Sequence, residues 1–445
     1  MARRSLTLRI LAKNSAAVGQ HGNDAVGFDS ARRQPDRQAT ILWLICVALC
    51  LFCTKEAAAQ PAAPPPTPVL IDRWMSPGAG ATVTNGVARL VAGGEEQFVP
   101  LRLFEDEGKL RHAANATYRL FKFALFDEPQ ENWFRVANHE LFGHGGRIRE
   151  LFDGRISYQL PAPPPYGRGG GATFFEFDRV PTVEEVLAVT VGGMESNYLV
   201  ARALAQDAMT AGTWNYRDAL RYLYTEYDTI HYIRSVGPIE EAGHDVGDFI
   251  RIYNGVATEA GEDTISSSEL RRNVLVSFAN PLIAYSYYSS FVSYVWQGRT
   301  TAPVPMIHLG ATRYLPMMRF HLTSFGPEFV LDNAFVRNGR FIDATVTWGQ
   351  TVGSRTWSLG GLGTRLVSGK DWTIGGAGRV WHRPDWGGQF AVTASRQLAA
   401  RGAHAFAFVA EGGFKTDGFA PGDRLHQGAF LRIGTALTPT SRRLP

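Results

Sequence analysis

The sequence predicts an α+β protein in which a mostly helical part, residues 70–305, precedes an antiparallel β part, residues 310–440. Helical hydrophobic periodicity dominates residues 115–298, and from about residue 316 the apolar period changes to two. With 445 residues, the chain is also too long for one ordinary compact domain.

The N-terminal segment, residues 1–59, indicates an export signal. Basic residues up to Arg37 precede an uncharged run, residues 39–54, and the small residues 57–59 follow it. The run is short for a membrane span, so we expect cleavage rather than anchoring. Residues 60–69 then form a proline-rich linker.

The composition of this leader limits the function of the remaining chain. Its apolar run contains all three cysteines, Cys46, Cys50 and Cys53, so the cleaved protein would have neither disulfides nor a catalytic thiol. Residues 1–59 hold eight Lys or Arg and four Asp or Glu, a net charge of +4 that equals the charge of the whole chain. The cleaved protein is therefore near neutral, and we expect no nucleic-acid partner.

Several segments of the helical part have recognisable signals. One helix is expected from Pro129 to Leu151, and another starts at a Thr182–Glu185 capping box and continues to about Met209. Further helices are expected at 216–235 and 267–297, a loop at 161–171, and short strand-like pieces such as 86–91. Residues 273–298 carry no charge, but Asn280-Pro281 interrupts them, so we expect a buried helix rather than a membrane span.

The β part predicts about eight strands of roughly ten residues, the length of a tilted outer-membrane strand. Apolar residues alternate with Gly, Thr, Ser or Arg, as in the segments 372–380, 406–414 and 429–437. Asn338-Gly339 predicts a type I′ hairpin turn, and 368–371 and 383–385 predict further turns. We expect a small antiparallel β-barrel in the outer membrane; a soluble barrel or sandwich is the alternative.

The segment NHELFGH contains the most informative residues, His139, Glu140 and His144. A zinc hydrolase needs neutral imidazoles as ligands and a carboxylate that takes a proton from water. Histidines five positions apart lie about 140° apart on a regular α-helix and cannot share one ion. A one-residue π-bulge would bring them to the same face, and Gly143 makes such a distortion inexpensive.

HELFGHG resembles the HEXXGH motif of the dipeptidyl peptidase III family of zinc peptidases. The resemblance implies that His139 and His144 bind Zn²⁺, that Glu140 is the general base and that Glu195, 51 residues after His144, is the third ligand. His231 and His244 compete with Glu195 for that position. Gly192-Gly193 beside Glu195 predicts close helix packing. The resemblance covers only this motif and one spacing, so zinc hydrolysis is implied and dipeptide release is not.

Candidates for stabilising a transition state or orienting the ligands are Arg147, Tyr198, Tyr227 and His231. The sequence therefore predicts an exported zinc metallohydrolase, with a zincin-like helical domain and a peptide or protein substrate. We expect it at the outer membrane facing the periplasm, or soluble in the periplasm. The alternatives are an amidase acting on cell-wall peptide and a non-catalytic outer-membrane structural or binding protein.

Overall fold

The structure is a computed structural model that describes residues 67–105, 108–163, 169–237, 243–401 and 404–439. The expected leader and most of the expected linker lie outside these residues. The last linker residues, 67–69, belong to the first strand, Thr67–Ile71.

Helices dominate the described chain up to residue 296. They are α1 (Pro77–Phe98), α2 (Lys109–Lys122), α3 (Glu128–Ala137), α4 (Gly145–Leu151), α5 (Val183–Ala211), α6 (Tyr216–Ser235), α7 (Asp245–Ala260), α8 (Ser267–Asn273) and α9 (Pro281–Tyr287). Single π-helical segments, Phe123–Asp127 and Asn138–His144, join α2 to α3 and α3 to α4. The helix predicted from Pro129 to Leu151 is thus confirmed as a continuous run, α3 to α4.

The strand-like segment 86–91 is helical, so that prediction was wrong. Ser76 accepts a hydrogen bond from the Ala79 amide at 3.3 Å, and a proline follows it, which together start α1. Gly86 then allows close contact with Val69 of the first strand. Packing and capping outweigh the β-branched residues that suggested a strand.

The uncharged segment 273–298 is interrupted as expected. A 3₁₀ segment, Val274–Ala279, ends before Asn280, whose side chain accepts from the Leu282 amide at 3.1 Å and starts α9. A π-helical segment, Tyr288–Trp296, follows α9. Among the described residues, we find no helix with both the length and the apolar composition needed to cross a membrane.

The strands form one large antiparallel sheet and two small hairpins. They are β1 (Thr67–Ile71), β2 (Ile156–Gln159), β3 (Ala172–Phe175), β4 (Thr213–Asn215), β5 (Thr301–Pro303), β6 (Ile307–Leu309), β7 (Thr312–Thr323), β8 (Gly326–Arg337), β9 (Arg340–Thr351), β10 (Ser354–Ser368), β11 (Trp372–His382), β12 (Trp386–Arg401), β13 (His404–Lys415) and β14 (Gly428–Pro439). The small hairpins are β2–β3 and β4–β5. The turn at Asn338-Gly339 has positive φ at both residues, as predicted.

The large sheet has ten strands within the described residues, in the order β1-β14-β13-β12-β11-β10-β9-β8-β7-β6. The eight long strands, β7 to β14, confirm the predicted number, but the expected closure into a barrel was wrong. Over the described chain, β1 and β6 are the two edges and do not pair with each other. Hairpin signals specify which neighbours pair; they do not specify whether the outermost strands meet.

The helices and the sheet share one hydrophobic core. Val200 and Leu204 of α5 lie in the same buried cluster as Leu315 and Val336 of the sheet. Ion pairs cross the same boundary: Arg202 of α5 contacts Asp343 at 2.5 Å. The long helix α5 is therefore the element against which both the sheet and the other helices are placed.

The predicted capping box starts α5. Thr182 Oγ1 accepts from the Glu185 amide at 3.3 Å, and Glu185 accepts from the Thr182 amide at 2.8 Å. Arg179 and His426 also bind the Glu185 carboxylate, at 2.6 and 3.0 Å. Burial alone would raise the pKa of Glu185, but these hydrogen bonds lower it to about 2.

We predict that Glu185→Gln lowers the free energy of unfolding at pH 7 by about 1–2 kcal/mol, since exposed Arg179 is screened by water. The folded pKa lies below the ordinary value of 4.5, so the carboxylate stabilises the fold above about pH 4.5. This contribution is lost as the pH falls towards 2. Urea unfolding at pH 7 and pH 3 should therefore show a smaller difference from the unchanged protein at pH 3.

Glu184→Gln is the matched control, because Glu184 is the exposed neighbour on the same helical turn. Equal losses for the two variants, or a loss for Glu185→Gln that does not shrink with acid, would contradict this account of the cap.

Candidate metal centre

The π-helical segment Asn138–His144 places His139 and His144 on one side of the chain. Their ring centroids are 4.9 Å apart, in an edge-to-face arrangement. A regular α-helix would separate the same positions by about 140°. The predicted π-bulge is therefore confirmed, and the two imidazoles can reach a common point.

Three glycines allow this wider turn to pack. A Cβ at Gly143 would lie 2.5 Å from Gly193 Cα and 2.6 Å from the Gly192 carbonyl oxygen, too close for any side chain. The π-helical segment and α5 are therefore in backbone-to-backbone contact. The close helix packing predicted from Gly192-Gly193 is confirmed.

Asp245, the first residue of α7, completes a group of three metal-ligand side chains. Its Oδ2 lies 3.0 Å from His139 Nε2 and 3.4 Å from His144 Nε2. The three ligand atoms all lie within 4.8 Å of one another. Zinc binds such ligands at about 2.0–2.2 Å in a tetrahedral arrangement, so pairs of ligand atoms should be about 3–4 Å apart. The two distances from Asp245 Oδ2 fit that requirement.

The other nitrogen of each imidazole is engaged on the far side. His139 Nδ1 lies 3.1 Å from Asp228 Oδ2, and His144 Nδ1 lies 2.7 Å from the Val189 carbonyl oxygen. Both partners are acceptors, so each Nδ1 donates, and in a neutral imidazole Nε2 then carries the free lone pair. This is the arrangement found around histidine ligands of metals.

Asp228 is itself held by several donors. Arg135 forms an ion pair with it, and Asn197 Nδ2 donates to it at 2.9 Å. Asn138, at the start of the π-helical segment, donates to Asn197 Oδ1 at 2.8 Å. This buried network links α3, α5 and α6 behind the ring of His139.

Electrostatics favour a positive charge between the rings. Burial alone would lower the pKa of His139, but the carboxylates of Asp228 and Asp245 raise it to about 10. Burial opposes ionisation of Asp245, yet His144 and His139 hold the pKa of its carboxyl well below its usual range. Burial also lowers the pKa of His144, but Asp245 and, to a smaller extent, Glu140 raise it above its ordinary value.

Glu140 is buried beside this group and has its own support. Thr173 of β3 donates from Oγ1 to Glu140 Oε2 at 2.7 Å. Gly171 lies so close that a Cβ there would be 2.6 Å from Glu140 Cγ. The hairpin β2–β3 therefore holds this carboxylate on the segment that carries both histidines, near enough to His144 to contribute to its raised pKa.

Glu195 does not join the group. It forms a two-pronged ion pair with Arg147, with N–O distances of 2.9 and 2.5 Å, and it accepts from the Gly422 amide at 2.7 Å. Glu195, the predicted ligand, and Arg147, a predicted orienting residue, thus bind each other. Together they hold the loop between β13 and β14. Asp245 occupies the position that we expected Glu195 to take.

The remaining candidates lie apart from the three ligands. Tyr198 packs on His321 of the sheet, with ring centroids 5.2 Å apart, and Tyr227 packs on Phe278 in the core. His231 is exposed on α6. Instead, Tyr232 stacks on the ring of His139, with centroids 5.1 Å apart and planes at 17°.

Sequence reasoning therefore missed Asp228, Tyr232 and Asp245. Asp228 and Tyr232 are four positions apart on the predicted helix 216–235 and so share a face, which was a usable signal. Asp245 lies 106 positions after His139 and adjoins His244, a residue that we had weighed as a ligand. Nothing local distinguishes it from other acidic residues.

Comparison with known proteins gives no further guidance. No family model matches this chain, and neither curated proteins nor solved structures show a significant similarity to it. What the group can do must therefore be argued from its own geometry.

We predict that Gly193→Ala lowers the affinity of this group for Zn²⁺ at least tenfold. The added Cβ would overlap the imidazole of His139 and displace its Nε2. Isothermal titration with Zn²⁺ would measure the loss. Gly255→Ala, on α7 where a Cβ meets open space, is the matched control and should bind as before. Equal affinity in both variants would show that the packing of His139 against α5 does not position the ring.

Proposed function

We propose that this protein is a zinc metallohydrolase, most specifically a peptidase, with His139, His144 and Asp245 as zinc ligands and Glu140 as general base. One observation carries the proposal. Nε2 of both histidines faces the same Asp245 oxygen, at 3.0 and 3.4 Å, while both Nδ1 atoms are engaged by acceptors behind them.

The donor set supports zinc. Two imidazoles and one carboxylate, with a further position open for water, form one of the recurring catalytic zinc sites. The same side chains also hold non-haem iron in oxygenases. Glu140 favours the hydrolytic alternative, because a buried carboxylate next to the ligands supplies the base that hydrolysis requires.

Each residue then has a defined task. Zinc bound here would supply Lewis-acid chemistry that activates water and polarises a carbonyl. Glu140, held by Thr173, would take a proton from the attacking water and pass it to the leaving amine, while the water oxygen replaces that amine on the carbonyl carbon. Asp228 and the Val189 carbonyl keep the imidazoles in the orientation that presents Nε2. This division of roles is that of a zincin-like peptidase.

Two alternatives make different predictions. A cell-wall amidase would use the same residues on a peptide of the wall, so only the substrate separates it from a protein-directed peptidase. A non-catalytic outer-membrane protein would need neither the metal nor Glu140. Metal content therefore separates the enzyme from the non-catalytic protein. The choice of substrate then separates a peptidase from a cell-wall amidase.

We predict that the purified protein contains about one zinc per chain, measured by plasma emission spectrometry. His139→Ala and Asp245→Ala should each lose it, because each removes one of three ligands. Asp248→Ala, one turn further along α7, should retain it. Glu195→Gln should also retain it, since Glu195 pairs with Arg147, and circular dichroism would verify folding.

The opposite pattern would be decisive. Zinc lost with Glu195→Gln and retained with Asp245→Ala would restore the ligand set implied by the motif. Iron in place of zinc, or no bound metal in the unaltered protein, would contradict the zinc hydrolase.

We predict that Glu140→Gln retains the zinc and lowers peptide hydrolysis by about 10²–10⁴-fold, the usual contribution of a general base. The amide keeps the shape of the side chain but cannot take the proton. A library of fluorescence-quenched peptides and, separately, cell-wall stem peptides would supply the assay. Glu184→Gln is the control on an exposed glutamate. Unchanged hydrolysis in a zinc-loaded Glu140→Gln protein would remove Glu140 from the mechanism.

A further inference from the structure

The large sheet has an apolar outer face. Most outward positions in the middle of the strands are apolar or glycine, with Asn333 and Thr435 as polar exceptions. Many of the apolar ones are strongly exposed: Val392 is 50% exposed, Phe390 59% and Ile433 45%. The exposed large apolar side chains of β9 to β14 include Ile342, Val346, Trp348, Trp357, Leu359, Trp372, Ile374, Val380, Phe390, Val392, Phe406, Phe408, Phe414, Leu431 and Ile433.

Charged outward residues stand near the strand ends instead. Arg355 follows the turn between β9 and β10. Arg396 lies opposite Trp372 in the register of β11 and β12, close to the turn between β10 and β11 at the opposite end of the sheet. Between such ends, the apolar residues of β13 run from Phe406 to Phe414, about 26 Å along the strand at ~3.3 Å per residue. A tilted outer-membrane strand needs about 9–11 residues to cross the apolar band, and Phe406 to Phe414 spans nine.

The inner face combines core apolar residues with buried charged residues. Asp332 and Asp343 are buried there, and Arg319 pairs with Asp332 and with Glu226 of α6. Arg383 pairs with Glu328, and both are fully buried. A soluble antiparallel sheet would carry polar residues on the face that is turned away from the core.

From an apolar outer face opposite an inner face that holds the buried ion pairs, we infer that the outer face of β8 to β14 contacts the hydrocarbon of a lipid bilayer. Monomeric soluble proteins rarely expose contiguous apolar patches beyond a few hundred Å². Here the apolar face crosses seven adjacent strands of 11 to 16 residues. A protein partner would need some polar positions for specificity, and the middle of this face offers almost none.

The edges of the sheet are compatible with this surface. Thr82 of α1 donates to the Leu70 carbonyl oxygen at 3.0 Å and accepts from the Leu70 amide at 2.9 Å, so α1 covers the free edge of β1. On its outer side α1 exposes Val87 and Leu90, which extend the apolar surface past that edge. The other edge, β6, has only three residues.

Single-cysteine labelling of the full chain tests the inference. The background carries Cys46, Cys50 and Cys53 replaced by serine, because the chain has no other cysteine. Val392→Cys and Ile433→Cys place an environment-sensitive fluorophore on the outer face. Val180→Cys, 72% exposed just before α5, is the matched control away from the sheet. The protein is reconstituted into phosphatidylcholine vesicles with nitroxide-labelled acyl chains.

The two sheet positions should be quenched at least twofold by the labelled lipid and be protected from aqueous iodide. The control should show the reverse. Quenching of all three positions by iodide alone would overturn the inference. A monodisperse monomer in buffer without detergent or lipid would also overturn it. A stable dimer in that buffer would overturn it by assigning the face to a second copy.

A charge substitution gives an independent measurement. Val392→Arg should lower the fraction of protein inserted into vesicles at least tenfold, whereas Val180→Arg should not change it. Equal insertion of both variants would contradict a lipid contact at Val392. Zinc content and hydrolysis are not involved in either experiment, so the inference fails or holds separately from the proposed function.

Discussion

The contact between the backbones of Gly143 and Gly192-Gly193 is the constraint on which the candidate site depends. Two histidines five positions apart share a face only if the turn between them is π-helical. A π-helical turn is uncommon, and it persists here because its wider backbone fits directly against α5. Any side chain at Gly143 would separate the two elements. The sequence pattern and the helix packing are therefore one requirement.

The same region shows how buried charge determines residue roles. Arg147 is fully buried just past His144, and such a charge is tolerated only with a partner. Glu195 is such a partner, and its carboxylate also accepts a hydrogen bond from the Gly422 amide. A carboxylate committed in this way cannot turn to a metal without breaking both of its bonds to Arg147. Asp245 has the two imidazoles as its near neighbours instead, so the third residue of the candidate metal group comes from α7 and not from α5.

The sequence predicted those parts of the fold that local rules specify. Capping signals placed the start of α5 at Thr182, and turn residues placed the hairpin at Asn338-Gly339. The motif placed His139, Glu140 and His144 in one group and required the π-turn. Segment 86–91 was assigned wrongly, because the contact of Gly86 with Val69 depends on a distant pairing of β1 with the sheet.

Neither the open edges of the sheet nor the third residue of the candidate metal group could be predicted from the sequence, for the same reason. Both depend on contacts between residues far apart in sequence, and no local spacing encodes them. Glu195 had the right residue type at a familiar spacing, but its pairing with Arg147 is a tertiary fact. Asp228, in contrast, lies on the same helix face as Tyr232. The side chains on each face of α6 would therefore have indicated Asp228 as a candidate.

The arrangement of residues in the sheet explains how a charged interior can coexist with an apolar exterior. A sheet whose inner positions carry Arg319, Asp332 and Asp343 needs a partner layer that returns opposite charges. The helices do so through Glu226 and Arg202. These pairs and the shared apolar core fill the inner face, and the remaining apolar side chains of β9 to β14 face outward. The helical layer is thus held by ion pairs as well as by the shared core, and the metal-ligand group lies within that layer and not on the sheet. The proposed lipid-facing surface and the candidate metal-ligand group are consequently built from different residues, so substitutions in one should leave the other intact.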